Sequence, residues 1–330
     1  VMTAALSSDL TLLKWIEATT PELFHRAESR AKQVAFDAAP DRGCLKSVKW
    51  LVETFPGAVW PLGLAAHGGN LEMVQWLHEH ANFDGAQLPG DFDDVGDVLE
   101  LFSNVFLVED FAGGENRLKP AGLRFVCGRR PRVTDSMDWA ALGGHLDVLQ
   151  WLDANRNDGC SPEAVNGAAE AGHFQILLWL NSHYSAQWTS QAMDYAAQGG
   201  QLEIVKWMHD NRTKVANTTA AMNSAAESGH LDVVKWLHGN RTEGTTSAMN
   251  NAAANGHLDV VKWLQVNRSE GCTTRAMDLA AGGGHLEMVR WLPSNRAEGC
   301  TTEAVDGAAS ERHLDVVKFL YVNRTEGWTT

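Results

Sequence analysis

Six histidines are the first residues in this chain whose type and spacing invite chemistry: His145, His173, His230, His257, His285 and His313. Imidazole is a common metal ligand and the side chain that titrates nearest neutral pH. A shared ion needs nitrogens about 2.0–2.1 Å away. Helices packed side by side hold equivalent residues roughly 8–10 Å apart. A column with one histidine per structural repeat therefore cannot close on one ion, and the spacing predicts histidines at a helix–helix turn, bonded to backbone. The run Asp91-Phe-Asp93-Asp94-Val-Gly96-Asp97 opens like a calcium loop. Such a loop needs an oxygen ligand at position 5 and a bidentate Glu at position 12. Val95 and Phe102 stand there, so the run reads as a solvated acidic loop leading into a helix N-terminus, where Asp is favourable. Of five cysteines, Cys160, Cys272 and Cys300 share one loop position in different repeats. Their spacing is too wide for disulfides, which predicts reduced thiols and a reducing compartment, cytoplasmic or nuclear. There is no Ser-His-Asp set, no glycine-rich phosphate loop after a strand and no C-x-x-C, so an enzyme reading finds no residues to rest on. No metal or cofactor is expected.

The elements that hold these residues repeat. The tryptophan of the phrase V-V-K-W-L, or its equivalent, falls at Trp151, Trp179, Trp207, Trp236, Trp263, Trp291 and Phe319, with gaps of 28, 28, 29, 27, 28 and 28 residues. A fixed period in this range means stacked supersecondary units rather than one globular core. Residues 273–300 show the unit. Thr273-Thr274 are N-cap candidates. Met277, Ala280 and Ala281 give a first apolar stripe at helical spacing. Gly284 or a neighbour ends that helix in a left-handed conformation. A second helix starts near His285, with Leu286, Met288, Val289, Trp291 and Leu292 spread over much of its girth. Asn295 is expected to close it as a left-handed C-cap, and Glu298-Gly299 to turn into the next unit. The alanine pair recurs at Ala140-Ala141, Ala168-Ala169, Ala196-Ala197, Ala225-Ala226, Ala252-Ala253 and Ala308-Ala309, as close helix approach requires. The tryptophan ladder is expected to be core. The sequons Asn211-Arg-Thr, Asn240-Arg-Thr, Asn267-Arg-Ser and Asn323-Arg-Thr follow from the repeat, because Asn155-Arg-Asn and Asn295-Arg-Ala keep Asn-Arg without the sequon. A structural role is expected: a cap for Asn, and a carboxylate or tryptophan-face contact for Arg.

The unit resembles an ankyrin repeat, whose pattern is T-P-L-H-x-A-A, then G-H and an L-E-V-V-type helix. The nearest local match is Pro61-Leu-Gly-Leu-Ala-Ala66 followed by Gly69-Asn70-Leu71-Glu-Met-Val74. Two departures stand out. The period is 28 instead of about 33, and Asp or Asn replaces the family's His. The residues missing are those of the β-hairpin finger. The resemblance therefore implies an all-α, ankyrin-like helical-repeat solenoid with little or no finger, of about eleven helix-turn-helix units, the first partial. It divides into 1–81, N-terminal repeats with the first truncated; 82–133, a long loop plus a worn repeat near 95–127; and 134–330, regular repeats. Both ends read as cuts through a longer protein, at Met2–Leu10 and at Gly327-Trp-Thr-Thr330.

Composition bounds the partner. Lys plus Arg is 27 and Asp plus Glu is 41, a formal charge of −14. Nucleic-acid binding rests on cations against phosphate, and the longest basic run is Arg129-Arg130-Pro131-Arg132, so neither nucleic acid nor an anionic membrane surface is expected. No apolar run reaches 18 residues. The family resemblance implies a non-catalytic scaffold, monomeric, binding a protein with a basic or mixed surface. First helices line the concave face in such stacks, and their most varied positions lie at i, i+4, i+7 on one stripe. The candidate binding residues there are Asp135, Trp139, Leu142, Gln191, Tyr195, Gln198, Asn251, Arg275 and Leu279, with Trp139, Tyr195 and Leu279 as anchors. The rival readings are drift at unconstrained positions, a structural spacer, or a regulatory region of a larger protein whose active domain lies outside this chain.

Overall fold

The computed structural model describes residues 10–19, 45–54, 62–80, 136–211, 219–240 and 246–323. The chain forms two compact units, Val1–Gln187 and Trp188–Thr330. The first holds α1 (Leu10–Thr19), α2 (Leu45–Thr54), α3 (Leu62–His67), α4 (Leu71–His80), α5 (Ser136–Gly143), α6 (Leu146–Asn155), α7 (Pro162–Ala171) and α8 (Phe174–His183), then a 3-10 turn, Ser185–Gln187. The second holds α9 (Gln191–Gln198), α10 (Leu202–Asn211), α11 (Ala220–Glu227), α12 (Leu231–Asn240), α13 (Thr246–Ala254), α14 (Leu258–Asn267), α15 (Arg275–Gly282), α16 (Leu286–Asn295), α17 (Glu303–Ser310) and α18 (Leu314–Asn323). Among the described residues there is no strand. From α3 onward, odd-numbered helices are the first and even-numbered helices the second of each repeat. Within each unit first helices pack on first helices, and second helices on second helices.

Local chemistry sets each boundary. The first helix is capped by the leading residue of the Thr-Thr or Ser-Pro pair. Ser161 Oγ accepts from the Glu163 N–H at 3.1 Å, Thr273 Oγ1 from Arg275 at 3.3 Å and Thr301 Oγ1 from Glu303 at 3.2 Å. The helix ends in a paired-bond turn: His285 N–H donates to Ala280 O at 2.9 Å while Gly284 sits at φ +74°, a conformation that costs glycine little. The alanine pairs are fully buried at Ala140-Ala141, Ala168-Ala169, Ala196-Ala197, Ala225-Ala226, Ala252-Ala253 and Ala280-Ala281. In the last described repeat Ala308 is buried and Ala309 exposed.

The second helix differs from expectation in two ways. Its core is aliphatic: α16 buries Met288, Val289 and Leu292, and α12 buries Val233, Val234 and Leu237. The tryptophans of the ladder are half-buried, because they lie between neighbouring second helices and not beneath them. His78 meets Trp151 edge-on at 5.3 Å, His209 meets Trp236 at 5.2 Å and His238 meets Trp263 at 5.1 Å. The terminal asparagine is likewise not a left-handed cap. It is the last helical residue, and its side-chain amide donates to the tryptophan carbonyl four residues back, at 2.8 Å for Asn155, Asn211, Asn240, Asn267 and Asn295. The C-cap is the next residue, extended at Arg156, Arg268 and Arg296.

That arginine takes the expected carboxylate contact. Arg156 pairs with Asp158 at 2.5 Å, Arg268 with Glu270 at 2.5 Å, and Arg296 with Glu298. Arg268 also donates to His238 Nδ1 at 3.1 Å, and Arg296 to Gln265 Oε1 at 2.7 Å, tying each loop to the preceding second helix. Three of the Asp and Asn residues at the family's His position clamp the next repeat. Asp278 accepts from the Thr301 N–H at 2.7 Å and its hydroxyl at 3.0 Å. Asp138 binds Ser161 alike, and Asn250 exchanges two bonds with Thr273.

The stretch 82–133, Asp91–Asp97 and Asp135 lie outside the described residues. The repeats flanking that stretch are direct neighbours: α3 packs on α5, and a Cβ on Gly63 would lie 2.7 Å from Trp139 Cδ1.

Candidate partner-binding face

Each first helix divides its residues by depth. On α15, Ala276, Met277, Asp278, Ala280 and Ala281 are buried, while Arg275 is exposed and Leu279 is 39% exposed. A four-residue step along one helix face explains this: Met277 and Ala281 share one stripe, Arg275 and Leu279 another. On α9, Ala192, Met193, Ala196 and Ala197 are buried. Gln191 is exposed, and Tyr195 and Gln198 are half-buried. Asn251 on α13, and Trp139 and Leu142 on α5, are half-buried. The first unit thus holds Trp139 and Leu142, and the second holds Gln191, Tyr195, Gln198, Asn251, Arg275 and Leu279. The structure brings each set onto the accessible side of its own rank of first helices.

Several of these residues also meet the neighbouring repeat. The i+4 position of one stripe lies against the i+7 position of the stripe before it. Trp139 is edge-on to His67 at 5.7 Å and covers Gly63. A Cβ on Gly167 would lie 3.2 Å from Leu142 Cβ. Asn251 donates to Glu227 Oε2 at 3.2 Å. Between α15 and α17 both partners are glycine, and a Cβ on Gly307 would lie 3.3 Å from the Gly282 Cα. Sequence reasoning placed Trp139, Asn251 and Glu227 on the varied stripe but missed His67. The signal available was the size match across repeats, bulky Leu142 against Gly167 and Gly282 against Gly307. Tyr195, Arg275 and Leu279 remain the bulkier accessible groups of the second unit's stripe.

Burial pushes the Cys160 thiol up to about 12, with Asp138 and Asp153 adding to the effect, and burial raises Cys272 as well. A thiol is a nucleophile only as thiolate, and these shifts disfavour the thiolate at both positions. Among the described residues no group of His, Cys, Asp and Glu is arranged to hold a metal ion. No helix among them is long and apolar enough to cross a membrane.

Against known proteins, a family model described as ankyrin repeats in three copies matches residues 165–248, 193–278 and 249–328. Comparison with curated proteins gives no match. Ankyrin repeats are generally protein–protein interaction modules.

Proposed function

The chain belongs to the ankyrin-repeat proteins, and from that footing we propose that it is a non-catalytic scaffold that binds a partner protein on the groove of its stacked first helices. One observation supports the reading: on α9 and α15 the buried and accessible residues separate onto different faces, so the varied stripe of these helices lies outside their buried side. Tyr195 and Leu279 are the anchors, with Arg275, Gln191, Gln198 and Asn251 as polar surroundings. A buried aromatic or aliphatic contact ringed by polar groups is the usual form of an interface hot spot. In the first unit Leu142 and Trp139 take the same role, Trp139 with part of its surface committed to Gly63 and His67. The formal charge of −14 favours a partner with a basic or mixed surface, approached through a salt-sensitive field. The same reading makes the chain a monomer in the cytoplasm or nucleus.

The test is capture from a cell lysate by the whole chain and by a Tyr195→Ser/Arg275→Ser/Leu279→Ser variant whose helicity is checked by circular dichroism. A partner held by the parent and lost by the folded variant supports the groove. Equal recovery by both moves the interface elsewhere, and no partner at all favours the spacer reading.

A further inference from the structure

The histidine column has a geometry that its role as a turn residue does not require. Each ring leaves its own repeat and lies on the positive-φ glycine of the repeat before it. A Cβ added to Gly69 would lie 2.2 Å from His145 Nδ1. For Gly200 and His230 the distance is 2.5 Å, for Gly229 and His257 2.5 Å, for Gly256 and His285 2.6 Å, and for Gly284 and His313 2.5 Å. The ring therefore occupies the volume that any side chain would fill. The opposite nitrogen is committed: Nε2 of His173 bonds to Leu142 O at 3.1 Å, and Nε2 of His285 to Ala254 O at 3.0 Å. A carbonyl oxygen only accepts, so Nε2 carries the hydrogen and the neutral ring's lone pair sits on Nδ1. Nδ1 is the atom that takes a proton, and it faces the glycine backbone of the preceding turn.

We propose that this column is a proton-operated latch between successive repeats: neutral imidazoles dock each repeat on the glycine turn before it, and protonation at Nδ1 in mildly acidic solution loosens that docking. The new charge would enter a half-buried site packed against the glycine turn. It would also face its own kind. The titratable side chains whose charge acts on His173 are His145 and His67, and those acting on His285 are His257 and His313; no carboxylate stands among them. Burial, then histidine–histidine repulsion, lowers the affinity of His173 and His285 for a proton, and the carbonyl bond opposes this only in part. The sign follows. A base held below its unfolded value of about 6.5 leaves stability intact above that pH and loses it as pH falls toward the folded value. The effect accumulates along a stack, because repeat stability resides largely in the interfaces between neighbours. The equivalent position of one repeat is Gln201, whose side chain bonds within its own turn, to Gly199 O at 3.0 Å.

Urea unfolding of the whole chain between pH 7.5 and 5.5 tests this, beside a His173→Gln/His230→Gln/His257→Gln/His285→Gln variant. That window stays above ordinary carboxylate titration. The unfolding constant of the parent should rise about fivefold or more across it as pH falls, because the unfolded chain binds protons that the folded column resists. The variant should change less than about threefold. Equal pH slopes in both would overturn the latch, whatever the variant's stability at pH 7.5. Should the variant not fold, an NMR titration of the parent's imidazoles decides: His173 and His285 titrating below about 6.5 support the proposal, and titration at or above that value sinks it.

Discussion

The first and second helices of each repeat meet their neighbours in opposite ways. First helices approach through alanine pairs and, between α15 and α17, through two facing glycines. Second helices stand apart over half-buried tryptophans, and Trp151, Trp236 and Trp263 each have a histidine of the preceding repeat set edge-on against them. A contact made of alanine has no slack, since an added methylene must displace backbone. A contact made of tryptophan and histidine rings shares its area with solvent and can tilt. The first rank therefore sets the spacing of the stack, and the second fills what that spacing leaves.

Five substitutions bear on this contrast, each read as the shift in urea unfolding of the whole chain, with hydrogen exchange to locate the loosened repeat. The largest effect should come from Leu237→Ala, which empties a site 1% exposed under α12 and should cost about 2–5 kcal/mol. Ala252→Leu forces bulk into the first rank, where Ala252 is fully buried, and should cost about 1–3 kcal/mol. An effect near zero would show that the first helices can spread and that spacing is set elsewhere. Asp278→Ala removes both acceptors of Thr301 and should cost about 1–3 kcal/mol, with exchange quickening at the Thr301 amide. Trp236→Ala should cost roughly 1–2 kcal/mol, below the about 3–5 of a fully buried aromatic. A cost equal to that of Leu237→Ala would erase the distinction between the ranks. Smallest of all, Leu279→Ser on the accessible stripe should change stability by less than about 0.5 kcal/mol, so that any loss of partner binding it produces is not a folding effect.

The helices were legible because their signals are local. Met277, Ala280 and Ala281 show the buried stripe of α15 within five residues, and Gly284 shows where that helix ends. The separation of Arg275 and Leu279 from Met277 and Ala281 was legible for the same reason. The tryptophan was misjudged because a helical apolar stripe on a helix with neighbours on both sides does not say which residues lie beneath the helix and which lie between helices. Trp236 and Leu237 are adjacent in sequence, yet one is half-buried and the other closed off. The asparagine was misjudged because Asn295 satisfies a helix end equally by a left-handed turn or by its side-chain amide, and the extended Arg296 selects the second.

The repeat itself, the helix pair, the glycine turn and the charge of −14 were determined by the sequence alone, because periodicity and capping act over a few residues. Tertiary structure decided what those units do to one another. Asp278 reaches Thr301 across 23 residues and His285 reaches Ala254 across 31, and the repeat of α3 and α4 stacks directly on that of α5 and α6. Such contacts arise only when one repeat docks on the next, and separation along the chain carries no measure of distance until that docking is made.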